Sequence, residues 1–486
     1  MFLLALFLAT LPIAGVTVLL LLRVSPPVSS FIALTTGIVE LTYFPTPLQV
    51  IVQGESVAIF TATEVAMIIL GGILFYEVIK LCGIDHSLAS WLTGISSDRE
   101  RLAILMVLGM TPFMESVTGF GVGAIFAVPL LQRVGFDSRR AAIIGLLGYV
   151  AVPWGALGPG TLVAARLTGL SFHSLGVVSA LISLPIFLVV GIAALIVAGN
   201  VKSALKKLDE VVLLSLSLWI GIVSSDILLG TPLAGVLGSV VSTATGIAII
   251  HVKEGRGVHY SREVFRIIIP YSLLVGLLLT SQAIVYVTGF LFPAVFRGIP
   301  VLRILMTSPA TWLMAASLLT AALFRQDAGA LMNAGRDALR RWWKVAFTTF
   351  CFLALGSLMA AAGMTSVIAD SLGGLGTAGY LSAVPFIGAL GGLLTGSNTG
   401  ANAMFAQQQA EVASRIGYPK LMVVGVQNVC ASLFTMSSGS RIQLVSSLFP
   451  EHGRELSIFR TIFSIDLIIA GIMAILLVIL PLPWMP

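Results

Sequence analysis

The chain has 486 residues, 57% of them hydrophobic and 10% charged, with a formal net charge of +6 and a mean hydropathy of +1.04. So few charges cannot cover a soluble protein of this length, and apolar runs long enough to cross a ~30 Å hydrocarbon layer recur throughout. The basic residues fall in short groups between those runs, as in cytoplasmic loops, and nothing in them implies a nucleic-acid partner.

The fold expected is an all-α polytopic membrane protein, with about twelve transmembrane helices and two half-crossing, re-entrant hairpins. Phe2–Leu22 lacks a basic n-region and is long for a signal h-region, so it reads as a first span. Ser25-Pro26-Pro27 separates it from a second span near Ser29–Val50. A third is expected over Ala58–Leu81, then a more polar interfacial piece, Asp85–Arg101, and a hairpin near Leu102–Leu131. The next apolar stretch, Arg140–Leu170, is broken at Val152–Gly160, where two prolines remove donors and glycines weaken what remains. A span near Phe172–Ala198 closes this half. Central spans follow near Val211–Leu228, Pro232–His251, Phe265–Leu291 and Thr307–Phe324. A second unit from Lys344 repeats span, hairpin (Tyr380–Ala410), interrupted span (Leu421–Phe449) and final span (Phe459–Leu480).

This divides the chain into N-terminal spans (1–55), a first repeat (56–200), central scaffold spans (201–343) and a second repeat (344–486). One orientation places four basic groups inside: Arg133, Arg139 and Arg140; Lys202, Lys206 and Lys207; Lys253, Arg256, Arg262 and Arg266; Arg336, Arg340, Arg341 and Lys344. Arg297, Arg303 and Lys420 fall on the other side. Both termini are then outside and the two repeats are inverted.

One short pattern occurs in both halves. Pro112-Phe113 leads to Thr118-Gly119-Phe120-Gly121-Val122-Gly123-Ala124, and Pro385-Phe386 leads to Thr395-Gly396-Ser397-Asn398-Thr399-Gly400-Ala401. Paired glycine-rich interruptions in two halves are the best sequence pointer to a transporter binding site. Interrupted helices leave unpaired N–H groups and a partial positive charge where an anion can bind. Ser397, Asn398, Thr399 and Asn402 could add donors, supply oxygens to a cation, or simply pack small residues between helices. Glu115, a charge at membrane depth, either carries a proton or caps the hairpin's own N–H groups. Arg441 either clamps a carboxylate or extends to the cytoplasmic interface. Trp154 lies inside the first break, away from the aromatic belt. Among the other intramembrane charges, Glu64 is the next candidate. The three cysteines and five histidines form no metal or nucleophile pattern, so no enzyme, metal or organic cofactor is expected.

Pro112-Phe-Met-Glu-Ser-Val-Thr-Gly-Phe-Gly121, Ala151-Val-Pro-Trp-Gly-Ala-Leu-Gly158 and Leu394-Thr-Gly-Ser-Asn-Thr-Gly-Ala-Asn402 together resemble the L-lactate permease family. Two departures stand out. Phe434-Thr-Met-Ser-Ser-Gly-Ser-Arg441 replaces the family's Gly-Lys-Met-Ile-Ser-Pro-Gln, and Ser116-Val117-Thr118 replaces Gly-Ala-Ala. The Ser-Asn-Thr triplet also looks like that of divalent-anion/sodium symporters. The resemblance implies an elevator-type transporter of the plasma (inner) membrane, with inverted repeats and a dimeric scaffold embedded in lipid. It implies proton symport of a small 2-hydroxy monocarboxylate such as lactate or glycolate. The expected substrate-binding residues are Thr118, Gly119, Phe120, Gly121, Trp154, Ser397, Asn398, Thr399, Asn402, Ser438 and Arg441, with Glu115 as the proton site. Sodium coupling to another organic anion, and an anion channel, are the alternatives.

Overall fold

The computed structural model describes residues 2–22, 24–119, 121–255, 262–291, 306, 308–449 and 453–479, so Phe120, Arg256, Arg297, Arg303, Thr307 and Leu480 lie outside them. All the regular structure described is helical. Among the described residues ten helices are long and apolar enough to cross a membrane, or eleven if Pro159–Thr168 and Phe172–Leu181, bent by 118°, form one crossing. Other expected spans correspond to shorter helices. Pro26–Glu40, Leu184–Ala198 and Pro309–Leu323 each have only 15 residues, about 22 Å of rise.

Prolines explain the boundaries that differ from expectation. The second helix stops at Glu40 instead of reaching Val50, because Pro45 and Pro47 remove donors and disfavour helical geometry before them. The third consequently starts at Leu48 and runs 34 residues to Leu81. The stretch expected as one span at Phe172–Ala198 is two helices, Phe172–Leu181 and Leu184–Ala198, with Pro185 in the first turn of the second.

One order of elements occurs twice. In the first half, helix Leu48–Leu81 is followed by Ile84–Ile95, then Arg99–Thr118 turning back into Val122–Arg133, then a broken span of Ser138–Leu147 and Pro159–Thr168. In the second, Ala328–Ala361, also 34 residues, is followed by Met364–Gly373, Gly376–Thr395 turning back into Asn398–Arg415, and a broken span of Lys420–Leu433 and Gly439–Ser446. Among the described residues the two long helices share the most extensive packing. Small residues let their backbones approach: a Cβ on Gly54 would stand 2.9 Å from Ser357 Oγ. Trp342 Nε1 also donates to Ala66 O at 2.6 Å, and Arg341 pairs with Glu77 at 2.9 Å.

Each hairpin returns to where it began. Arg99 Nη1 donates to Gly135 O at 2.6 Å, closing the base of the first. Tyr380 OH donates to Gln409 O at 3.2 Å across the second, and Arg415 pairs with Asp370 at its base. The tips turn at corresponding glycines, Gly119 (φ 68°) and Gly396 (φ 62°), in the left-handed region that favours glycine.

A charged network anchors the base of the first hairpin. Arg101 binds Glu210 through Nε and Nη2, both at 2.8 Å, and Glu254 through Nη1 at 2.6 Å. Lys207 Nζ donates to Asp98 at 2.6 Å and to Glu100 at 2.8 Å. Burial pushes the Asp98 carboxyl up, but the bonds from Lys207 and the Arg101 backbone, with the charges of both, outweigh it and hold the group below its usual range. Helices Leu208–Leu229 and Thr231–Glu254 are thus tied to the first hairpin rather than standing apart from it.

Candidate functional site

The four interruptions meet in a closed ring of contacts. A Cβ on Gly119, at the first tip, would stand 2.6 Å from Ala156 Cβ in the first break. One on Gly121 would collide with the Arg441 guanidinium, which enters from the second broken span. A Cβ on Gly396, at the second tip, would meet Ser440 Oγ and would lie 2.9 Å from Ser438 Oγ, both in the second break. Gly160, just after the first break, lies against Asn398, its added Cβ 2.9 Å from Asn398 Cβ. Helices Val122–Arg133, Pro159–Thr168, Asn398–Arg415 and Gly439–Ser446 all start at this ring. Four N-termini bring partial positive charge and orphan N–H groups to one place.

Glu115 sits at the first tip, 3% exposed. Its carboxylate accepts the Gly121 N–H at 3.1 and 3.2 Å and the Gly123 N–H at 3.2 Å. Tyr149 OH donates to Gly121 O at 2.9 Å. The guanidinium carbon of Arg441 lies 5.5 Å from the Tyr149 ring centroid, a cation–π distance, and its charge acts on Glu115. The Arg441 side chain thus reaches the first tip. For Glu115, the capping geometry is present.

The second tip is an amide cluster. Asn428 Oδ1 accepts from Asn398 Nδ2 at 2.9 Å and from Asn402 Nδ2 at 2.8 Å. Its Nδ2 reaches Thr161 Oγ1 and Ser179 Oγ, each at 3.0 Å. Asn402 Nδ2 also lies 3.1 Å from Gly160 O. Asn402 Oδ1 is buried with no donor, and Arg441 Nε is buried with no acceptor, among the described residues.

Several of the expected hydroxyls serve their own helices. Ser397 Oγ caps its helix by accepting from Gly400 N at 3.3 Å, and Ser438 Oγ donates to Thr435 O at 2.8 Å. Thr118 Oγ1 donates back to Met114 O at 2.6 Å. Thr399 is buried in the first turn of its helix, and Phe120 is outside the described residues. Trp154 is fully buried, and its Nε1 donates to Asp226 Oδ2 at 3.0 Å. Asp226 also accepts from Thr231 at 2.8 Å, with His173 4.0 Å away. Glu64 pairs with Arg166 at 3.5 Å. Among the described residues no group of three or more His, Cys, Asp or Glu gathers as metal ligands would.

Sequence reasoning missed Tyr149, Thr161, Ser179 and Asn428, and gave Asp226 no role. Gln427-Asn428, an amide pair inside the apolar first half of an interrupted span, was the available signal for Asn428.

Apolar spans in this number, with two hairpin tips set against two helix breaks, define a polytopic membrane transporter. The L-lactate permease family model matches residues 5–264 and 260–482, and the chain belongs to that family. It is 24% identical to the L-lactate permease of Streptococcus iniae, over 72% of this chain and 77% of that one. It is 22% identical to the L-lactate permease of Escherichia coli K12, over 85% and 83% of the two chains. It is also 29% identical to the glycolate permease GlcA of E. coli K12, over 24% of this chain and 21% of that one. The solved structure of the Alcanivorax borkumensis YdaH transporter overlaps 87% of this chain and 86% of its own at a TM-score of 0.43 and 14% identity.

Proposed function

We propose that this protein imports a small 2-hydroxy monocarboxylate, lactate or glycolate, by proton symport across the plasma membrane. The observation that carries the reading is the ring of four helix N-termini, which places Arg441 beside Glu115. The orphan N–H groups and Arg441 suit a carboxylate, and a buried Glu115 suits a group that changes its protonation as that carboxylate arrives. Gly119, Gly121, Asn398, Asn402 and Ser438 line the meeting point. Thr118, Ser397 and Thr399 shape the tips, while Trp154 flanks the first; Phe120 stays in the proposed site on the sequence motif alone. Family membership supports the substrate class.

We further read the hairpins as re-entrant and the repeats as inverted, working as an elevator within a homodimer. Both hairpins, both broken spans and helices Leu208–Leu229 and Thr231–Glu254 would move against Leu48–Leu81 and Ala328–Ala361. This narrows the scaffold expected for 201–343, because Trp154–Asp226 and the Arg101 network bind two of its helices to the moving part. Sodium coupling is the second reading, favoured by Asn402 Oδ1, an acceptor without a donor.

The test is uptake of labelled L-lactate and glycolate into proteoliposomes. Accumulation under an inward proton gradient without sodium supports the reading. Accumulation only under a sodium gradient replaces it with the second. Flux that never exceeds equilibrium identifies a channel, and no flux of either acid removes the substrate assignment.

A further inference from the structure

A cavity of about 430 Å³ lies beside the first break, bounded among the described residues by Glu64, Leu157, Arg166, Phe172, Pro232 and Pro309. Leu157 is the last residue before the turn that starts Pro159–Thr168, so the cavity's inner wall is the break itself. Most of the lining is apolar. The polar exceptions are Ser171 and an ion pair, Arg166 Nη2 to Glu64 Oε2 at 3.5 Å, with side chains 49% and 17% exposed.

This pair is loosely made. At 3.5 Å through one nitrogen, the contact lacks the short, directional bonds of a bidentate guanidinium–carboxylate pair. The remaining Arg166 donors have no partner among the described residues, and they face a cavity roomy enough for a three-carbon acid with accompanying water. The two residues also belong to different bodies, Glu64 to the long helix Leu48–Leu81 and Arg166 to the broken span.

We propose that this cavity is a vestibule in which Arg166 captures the carboxylate of the incoming acid, with Glu64 as the resting counter-ion that the substrate displaces. The inference rests on the transport reading above and adds a first binding station to it. On the proposed topology the 169–171 connection is extracellular, so the station faces the side from which substrate arrives. Displacing Glu64 also removes one of the ties between the broken span and the long helix, so that occupancy itself loosens the part that must move.

The experiment compares initial rates of L-lactate uptake for wild type, Arg166→Gln, Arg166→Lys and Glu64→Gln in proteoliposomes. Arg166→Gln is expected to raise KM about tenfold, the equivalent of one charge-assisted bond, with kcat changed far less. Arg166→Lys should fall between it and wild type. Glu64→Gln should leave KM unchanged or lower it, because it removes the competing carboxylate while sparing the guanidinium. A KM that rises equally in Arg166→Gln and Glu64→Gln would mean a structural pair and overturn the proposal.

Ser171→Cys, at a cavity-lining position that leaves Arg166 in place, supplies a readout independent of turnover. The native cysteines Cys82, Cys351 and Cys430 are buried, so an impermeant cationic thiol reagent reports on position 171. L-Lactate or glycolate should slow its labelling, and labelling equally fast with and without either acid counts against the station. Wild-type uptake with no effect at Arg166 removes only this inference. Absence of uptake by wild type under every gradient removes the transport reading, and the protection assay still decides the station.

Discussion

The Glu115 carboxylate holds the Gly121 N–H through both of its oxygens, at 3.1 and 3.2 Å, so the residue before the first tip fixes the residue after it. Gly121 in turn has φ 90° and leaves just enough room for Arg441. Acid, turn and guanidinium form one unit, in which a change of charge on the first is felt by the third.

Glu115→Gln keeps one acceptor oxygen for the tip but removes the charge opposite Arg441. Gradient-driven uptake should be lost while substrate binding survives. The measurement is proteoliposome uptake across a series of pH values, alongside a binding assay. Uptake in this variant with the pH dependence of wild type would remove Glu115 from the coupling.

Asn428 joins the second broken span to the second tip, to the first broken span through Thr161 and to the following helix through Ser179. Asn428→Ala leaves several buried polar groups without partners, at about 1–3 kcal/mol for each group stranded. Thermal unfolding in detergent should shift down by several degrees, and uptake should fall with it. An unchanged melting temperature would show that the amide cluster does not hold the ring together.

Trp154→Phe removes the indole donor to Asp226 while retaining most of the ring. The expected cost is about 1.5–3 kcal/mol, the range for a hydrogen bond to a charged group. Trp154→Phe with Asp226→Asn should cost less than the sum of the single changes. Simple additivity in the double-mutant cycle would mean that the two residues are energetically independent.

Asp98 gives a pH dependence with a defined sign. Its folded value lies below its unfolded one. The stabilisation is therefore complete above about pH 4, the ordinary value for an aspartate, and is lost as pH falls through the lowered value. Asp98→Asn keeps the helix cap but loses the Lys207 ion pair. The stability gap between wild type and variant should be open at pH 7 and close below about pH 4. A gap that stays constant with pH would mean that the pair contributes nothing through its charge.

The repeated Thr-Gly-x-x-x-Gly-Ala pattern was legible because a tight turn at a helix junction demands glycine at a fixed place. Gly119 and Gly396 do turn at equivalent points. The first break was legible for a similar reason, since Pro153 and Pro159 cannot continue a helix. Span limits near Pro45 and Pro185 were misjudged where hydropathy was weighed over backbone chemistry, although the prolines were visible. Which residues meet across the ring was not legible at all. Asn428 and Thr161 are separated by much of the chain, and Glu64 and Arg166 lie on non-adjacent elements of the first repeat, so neither pair follows a local period. The first pairing comes from the way the two halves interlock.

The two 34-residue helices are each about 51 Å long at 1.5 Å per residue, well beyond the ~30 Å of a bilayer's hydrocarbon core. Packed on one another, they must lean or project together, and Trp342, bonded to Ala66 O, pins their relative height. The protein is thus sensitive to hydrophobic mismatch. Acyl chains that are too short or too long force a shared tilt on the pair, against which the moving part travels in the elevator proposed above. The lipid's thickness then becomes a variable of the transport cycle, and turnover should pass through a maximum as chain length is varied in otherwise identical vesicles.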